Sequence, residues 1–100
     1  MKITQTLSNY DQVLSICGRI DTITSNQLSE EIDKAMTNKF EKLVLDFGDV
    51  DYISSAGLRI IIVAQKKITA GGKKLELTNM NETVKNVFDI TGFSQILNIN

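Results

Sequence analysis

Two adjacent serines, Ser54 and Ser55, are the residues of this sequence best placed for chemistry. They follow a strand-like run, Lys42–Phe47, and lead into an apolar helix-like run, Leu58–Ile68. Such a junction exposes free backbone N–H groups and the positive end of a helix dipole, which together favour an added negative charge. This placement predicts that Ser55 can accept a phosphate group without loss of the fold.

The serine pair also has a purely structural interpretation. Serine is a favoured N-cap residue, and most serine pairs before helices only cap them. From the pattern alone, capping is the better explanation. The two roles are compatible if Ser54 caps the helix while Ser55 presents its hydroxyl outward.

The neighbours of the serine pair leave alternatives open. Gly57 either permits close packing of the helix on the sheet or lets a partner approach Ser55. Asp21 either binds a partner or satisfies backbone groups before the first helix. Four aspartates are expected at or near one edge of the sheet, where they make the field around Ser55 acidic: Asp21, Asp46, Asp49 and Asp51.

The helix after the serines has an apolar and a charged side. Arg59 and Lys66 point roughly away from the sheet, and Ile60 and Val63 fall on the flank. This flank is either an apolar patch beside Ser55 that suits a partner, or part of a deeply buried helix. The positions that can face the sheet are Leu58, Ile61, Ile62 and Ile68.

The residue inventory excludes most enzyme classes. The chain has no histidine and a single cysteine, Cys17. A Ser-His-Asp triad, a Cys-His dyad and an internal disulfide are therefore excluded within one chain, and a cysteine or histidine zinc site nearly so. Neither a Gly-x-Gly-x-x-Gly nor a phosphate-loop motif occurs. We expect a protein without catalysis, cofactor or metal, in which Cys17 is a small buried hydrophobe.

Length and charge predict one domain, residues 1–100, with no nucleic-acid partner and no membrane insertion. The chain length suits a single core. The formal net charge is −1 with acids and bases interspersed, a poor match for a phosphate backbone. The longest apolar run, Ile60–Ala64, is too short to span a bilayer, and the first residues alternate like a strand rather than a signal peptide. A soluble, cytoplasmic protein is expected.

The periodicity predicts strands over 2–8 and 12–18, joined as a hairpin around Ser8–Asp11. The first helix begins with a capping box from Thr24 and Gln27 and a hydrophobic staple from Ile23 and Leu28. Leu43–Leu45 is nearly continuous in apolar character, which is typical of a strand buried on both faces.

In the second half of the chain, glycine and asparagine residues mark the predicted ends and starts of the helices. A second helix runs from about Ser55 to Ala70 and ends at Gly71-Gly72; a strand, Lys74–Thr78, follows. A third helix runs from a cap near Asn81 to Gly92, and Ile96–Ile99 forms the last strand. Two strands followed by alternating helices and strands predict an α/β fold, with a mixed, mostly parallel sheet of about five strands and helices packed on it.

The order of elements and several local motifs resemble the STAS family, whose small single-domain members are bacterial anti-sigma factor antagonists. The resemblance covers almost the whole chain. It lies in Gly18–Asp21, Leu43–Phe47, Tyr52–Leu58, Gly71–Leu75 and Val87–Phe93.

The resemblance implies site residues. The family's phosphoacceptor falls on Ser55, the first residue of its Ser/Thr-x-Gly-Leu motif. Ser54 stands where the family often has aspartate, and Ala56 where it often has serine or threonine, so recognition by a kinase can differ from the best-known members. The residues expected to contact a partner are Asp21, Asp46, Ser54, Ser55, Ala56, Gly57 and Arg59.

The resemblance also implies a partner switch. The unphosphorylated antagonist binds an anti-sigma factor that is also a serine protein kinase, and so releases a sigma factor; phosphorylation breaks the complex, and a PP2C-type phosphatase restores it. ATP and magnesium would belong to the kinase. The alternatives are an unswitched STAS subunit of a transporter or signalling scaffold and, less favoured, an enzyme or nucleotide-binding module.

Overall fold

The computed structural model describes residues 1–100 and contains a five-stranded sheet with three α-helices. A short 3-10 helix, Phe93–Gln95, precedes the last strand. The strands are β1 (Lys2–Ser8), β2 (Asp11–Ile20), β3 (Lys42–Ile53), β4 (Lys74–Thr78) and β5 (Asn98–Ile99), and the helices are α1 (Thr24–Ala35), α2 (Ser55–Ala70) and α3 (Glu82–Thr91).

The strands lie in sequence order across the sheet. Strands β1 and β2 form an antiparallel hairpin, and β2, β3, β4 and β5 pair in parallel. The predicted α/β class and mixed, mostly parallel sheet are therefore confirmed. Parallel neighbours require crossover connections, and helices α1, α2 and α3 supply them.

The buried side chains of the sheet lie on one face, where the helices pack. Leu43 and Leu45 on β3 are fully buried, and Phe47 meets Phe88 of α3 edge-to-face at 6.3 Å between ring centroids. Val44, between the two leucines, is only half-buried on the other face. The prediction that this strand is buried on both faces is wrong, because no helix covers the second face.

Cys17 lies on that open face and is exposed. Its neighbour Ile16 takes the buried side of β2, and Cys17 is paired in register with Lys2 and Asp49. The prediction of a buried cysteine is wrong because strand alternation, rather than local apolar content, decides which side chain faces the core.

Strand β3 is longer than the sequence pattern predicts. Beyond Phe47 it continues through Gly48 to Ile53, paired with the end of β2 across two register shifts. The polar, glycine-containing segment therefore forms a bulged continuation of the strand. The last strand is shorter than predicted, since Ile96 follows the 3-10 helix and only Asn98–Ile99 pairs with β4.

Candidate functional site at the start of helix α2

Ser54 joins strand β3 to helix α2. Its N–H donates to the Ile20 carbonyl oxygen at 2.8 Å, and its Oγ accepts from the Gly57 N–H at 3.2 Å. Its backbone is extended, with φ −90° and ψ 170°, as an N-cap requires. The prediction that Ser54 caps this helix is confirmed.

Ser55 is the first residue of α2 and is exposed. No side-chain hydrogen bond of the structure uses its hydroxyl, and the cap of the helix is supplied by Ser54 instead. The free hydroxyl therefore stands beside backbone N–H groups of the first turn, in the position where a helix best tolerates negative charge. Ala56 follows it half-buried, and Arg59 is exposed one turn further along.

Gly57 brings the start of α2 against the sheet. A Cβ at this position would lie 2.6 Å from Ile20 Cγ2 and 2.9 Å from Ile53 Cγ1. Both distances are shorter than real carbon contacts allow, so a larger residue would force the helix or the two isoleucines to shift. Of the two interpretations of Gly57, close packing is the one the geometry supports directly, and this packing fixes the position of Ser55.

Asp21 organises the loop between β2 and α1. Its Oδ1 accepts from the N–H groups of Ile23 and Thr24 at 3.0 and 2.9 Å and from Thr24 Oγ1 at 3.1 Å, while its own N–H donates to Thr24 Oγ1 at 2.8 Å. These hydrogen bonds, above all those from Thr24, lower the pKa of the Asp21 carboxyl.

The predicted start of α1 is corrected by this loop. Thr24 does not cap the helix through Gln27; it forms the reciprocal pair with Asp21, three residues earlier. Ile23 is 82% exposed and makes no staple with Leu28, which is fully buried. The reciprocal capping pair is Asp21–Thr24, about one helical turn before the predicted pair of Thr24 and Gln27. Aspartate and threonine both suit a capping pair, so the sequence alone does not distinguish the two positions.

We expect the stability that Asp21 supplies to depend on pH. Since its folded-state pKa is lowered from the ordinary value of 3.8, its contribution is fully present above that value and is lost as the pH falls towards the lower folded value. The stability difference between wild type and Asp21→Asn, measured by urea unfolding, should be constant above about pH 5 and should shrink below about pH 4. An unchanged difference at low pH would contradict this role.

An apolar groove adjoins Ser55. It has a volume of about 330 Å³ and lies between α2 and the segment that follows α3. Its lining residues are Ser55, Leu58, Arg59, Ile62, Thr91 and Phe93. The groove gives Ser55 a hydrophobic neighbourhood with one cationic side chain, a composition that suits a protein partner.

The apolar surface beside Ser55 does not include Ile60 and Val63, for which the sequence left a patch beside Ser55 and deep burial as alternatives. Ile60 and Val63 line a separate shallow groove between α1 and α2 together with Ile32. Ile62, predicted to face the sheet, is half-buried and lines the groove beside Ser55. Phe93 joins it from a distant part of the chain, which helical spacing cannot reveal.

The strands next to the site carry a stacked pair that the sequence pattern does not reveal. The guanidinium carbon of Arg19 lies 4.3 Å from the centroid of the Tyr52 ring, and the two residues are register partners on β2 and β3. Tyr52 is 40% exposed. Ile20 and Ile53, the next residues along the two strands, face Gly57 of α2, so Arg19 and Tyr52 lie on the open face of the sheet, one residue before the start of the Ser55 site.

Asp46 does not join the other expected residues. It is paired in register with Ser15, whereas the Ser55 site begins beyond Ile20, roughly 16 Å further along β2 at the usual rise of a strand. Its Oδ1 accepts from the Gly48 N–H at 2.9 Å and from Asn79 Nδ2 at 3.1 Å. The expectation of four aspartates near one edge is wrong, because β3 runs on past Asp46; Asp49 is likewise paired with Cys17, below the site.

The structure therefore brings together Asp21, Ser54, Ser55, Ala56, Gly57 and Arg59, and places Asp46 elsewhere. None of the helices has the length and apolar character needed to cross a bilayer.

Residues 2–100 of this chain match the STAS domain family. A Bordetella bronchiseptica protein named as a candidate anti-sigma factor antagonist, BtrV, is 33% identical over 93 residues, which cover 91% of this chain and 80% of that protein. The anti-sigma-B factor antagonist of Bacillus subtilis is 30% identical over 89 residues, 89% of this chain and 81% of its own.

A solved structure shares the fold at low sequence identity. The Bacillus cell fate determinant SpoIIAA in its phosphorylated form superposes with a TM-score of 0.74 at 16% identity, covering 99% of this chain and 91% of that one.

Proposed function

This chain belongs to the STAS domain family of anti-sigma factor antagonists, and we propose from that premise that it binds an anti-sigma factor while Ser55 is unphosphorylated and releases it when Ser55 is phosphorylated. The observation that carries the proposal is the exposed hydroxyl of Ser55, free of internal hydrogen bonds, at a helix N-terminus already capped by Ser54. The surface around it, including the groove, supplies the contact with the partner.

The physical basis of the switch is an asymmetry between the fold and the interface. A phosphate adds about −1.5 to −2 charges at neutral pH. At the exposed start of α2 this charge stabilises the helix by a few tenths to about 1 kcal/mol. Within an interface the same dianion must lose its hydration and meets like charges, which costs several kcal/mol. The modified chain stays folded while the complex dissociates.

In this proposal the partner itself phosphorylates Ser55, as the family resemblance implies. Ser55 Oγ attacks the γ-phosphorus of ATP held with magnesium by the anti-sigma factor, acting as a serine protein kinase; the serine proton passes to a base of the kinase, and ADP leaves. Hydrolysis of the phosphoserine by a PP2C-type phosphatase returns the chain to its binding form. Support for a phosphorylated state comes from SpoIIAA, a Bacillus protein of this fold, which is described in a phosphorylated form.

We expect one phosphate on this chain after incubation with the anti-sigma kinase of its own bacterium, ATP and magnesium. Intact-mass spectrometry should show complete conversion of wild type to the singly modified mass, and peptide mapping should place the phosphate on Ser55. Ser55→Ala should stay unmodified, whereas Ser54→Ala, with a weakened cap, should still be modified. A phosphate on Ser54 in the wild type, or none at all, would leave an unswitched docking module as the better description.

A further inference from the structure

The edge of the sheet formed by β1 is long and unprotected. Sheets usually guard their edges with proline, bulges, inward charges or very short strands. The opposite edge follows that rule, since β5 has only 2 residues. Strand β1 has 7 residues, no proline and an unbroken register with β2, and its one charged residue, Lys2, is at its start.

The backbone groups that β1 leaves free can be identified from its neighbours. The Tyr10 carbonyl accepts from Glu41 and Lys42 N–H, so even-numbered positions of β2 face β3 and odd-numbered ones face β1. The odd positions of β2 are paired with the even positions of β1, such as Ser15 with Thr4. Since backbone groups alternate along a strand, the N–H and C=O groups of Ile3, Gln5 and Leu7 point away from the sheet.

We propose that a second copy of this chain pairs with this edge, β1 against β1 in antiparallel order, about a two-fold axis through Gln5. This register places Gln5 opposite Gln5 of the second copy and Ile3 opposite Leu7. It uses every outward-pointing backbone group of both strands and forms about six hydrogen bonds, two for each facing pair. Any other antiparallel register leaves some of these groups unpaired.

The side chains are self-complementary in the same register. Ile3 is half-buried and Leu7 is 53% exposed, so their contact across the axis covers apolar surface on the helix side of the sheet. On the open side Thr4 meets Thr6, a pair of β-branched residues that suits a strand. Lys2 comes opposite Ser8, so no like charges of β1 face each other.

The carboxylate that contacts Gln5 belongs to Glu31, and its charge is balanced within the same copy. Gln5 Nε2 donates to Glu31 Oε2 at 2.8 Å, and Glu31 Oε1 lies 3.6 Å from Lys34 Nζ. Each copy therefore brings a balanced pair of charges to the axis. The interface is small, so the dimer is weak, with a Kd on the order of 100 µM.

The dimer leaves the Ser55 surface free. Lys2, the end of β1 nearer the site, is paired with Cys17, and the Ser55 site begins beyond Ile20, roughly 10 Å further along β2. Dimerisation through β1 and binding at Ser55 can therefore be tested separately, and loss of one does not bear on the other.

Sedimentation equilibrium from about 10 µM to about 1 mM tests the dimer, since this range brackets the expected Kd. Wild type should shift from monomer to dimer across it. Gln5→Pro removes an outward N–H but no bond to β2, a place where edge strands tolerate proline, and should weaken the dimer at least about ten-fold. Gln5→Thr keeps the N–H and should dimerise like wild type. Wild type that remains monomeric at the highest concentration would overturn the proposal.

Cysteine cross-linking tests the axis without relying on proline. In a Cys17→Ser background, Gln5→Cys places two sulfurs across the two-fold, with Cα atoms about 5.5 Å apart, within disulfide range. Thr6→Cys, offset from its own copy by two residues, lies beyond that range. Mild oxidation should link Gln5→Cys at least about ten-fold faster than Thr6→Cys, because only the first pair meets disulfide geometry. Equal rates would refute this register.

Discussion

Ser55→Asp is expected to weaken binding to the anti-sigma factor by about 100-fold, which corresponds to about 2.7 kcal/mol. The carboxylate places a permanent negative charge where the unmodified hydroxyl meets the partner, and desolvation of that charge opposes association. Phosphorylation of wild type should weaken binding further, because the phosphate carries more charge and is larger. Isothermal titration calorimetry at physiological salt measures both.

The same substitution should leave the fold intact, since an acid in the first turn of a helix is favourable. The thermal midpoint of Ser55→Asp should therefore equal or exceed that of wild type. Thr83→Asp is the matched control, because Thr83 is exposed in the first turn of α3 and lies outside the groove beside Ser55. It should bind like wild type. Tight binding by Ser55→Asp would rule out the charge-gated switch.

The parts of the fold that follow from local pattern could be predicted from the sequence. The Ser54 cap, the end of α3 at Gly92 in the left-handed conformation, and the cap of α3 by Asn81 are set by residues within a few positions of one another. The Ser54 and Asn81 side chains accept backbone N–H groups at the two helix starts, and glycine readily adopts the left-handed conformation at the helix end, so neighbouring residues suffice to identify all three features.

The parts that depend on distant segments could not be predicted. Phe93 reaches the groove beside Ser55 only because the 3-10 helix after α3 folds back towards α2. Asp46 is separated from Ser55 because the bulged end of β3 finds pairing partners on β2. The polar segment after Phe47, which contains a glycine, carries no local strand pattern, and pairing with β2 holds it extended.

Asp21 has a structural role, which is one of the two alternatives that the sequence left open for it. It lies beside Ser54, as the resemblance implied, and it also holds the start of α1 through Thr24. Because it has this structural role, loss of partner binding in an Asp21 variant would not by itself establish a contact. Arg59, exposed in the groove beside Ser55 and without a salt bridge in the structure, is the cleaner probe of the same surface.

Gly57→Ala is expected to destabilise the protein by about 1–3 kcal/mol, despite the roughly 1 kcal/mol by which alanine favours a helix over glycine. The added methyl would lie 2.6 Å from Ile20 Cγ2 and 2.9 Å from Ile53 Cγ1, and both isoleucines are buried and cannot move into solvent. Relief requires α2 to shift away from the sheet. Urea unfolding measures the loss, and the thermal midpoint should fall by roughly 5–20 °C.

The shift of α2 also predicts a functional consequence, because Gly57 N–H donates to the Ser54 cap and the same turn carries Ser55. Gly57→Ala should slow phosphorylation of Ser55 although it leaves every polar group in place. Gly71→Ala is the matched control, since a Cβ there meets nothing closer than 3.6 Å and its φ of −84° suits alanine. It should be neutral or slightly stabilising. If Gly57→Ala is equally harmless, close packing of α2 on the sheet does not position Ser55, and the glycine must instead serve the approach of a partner.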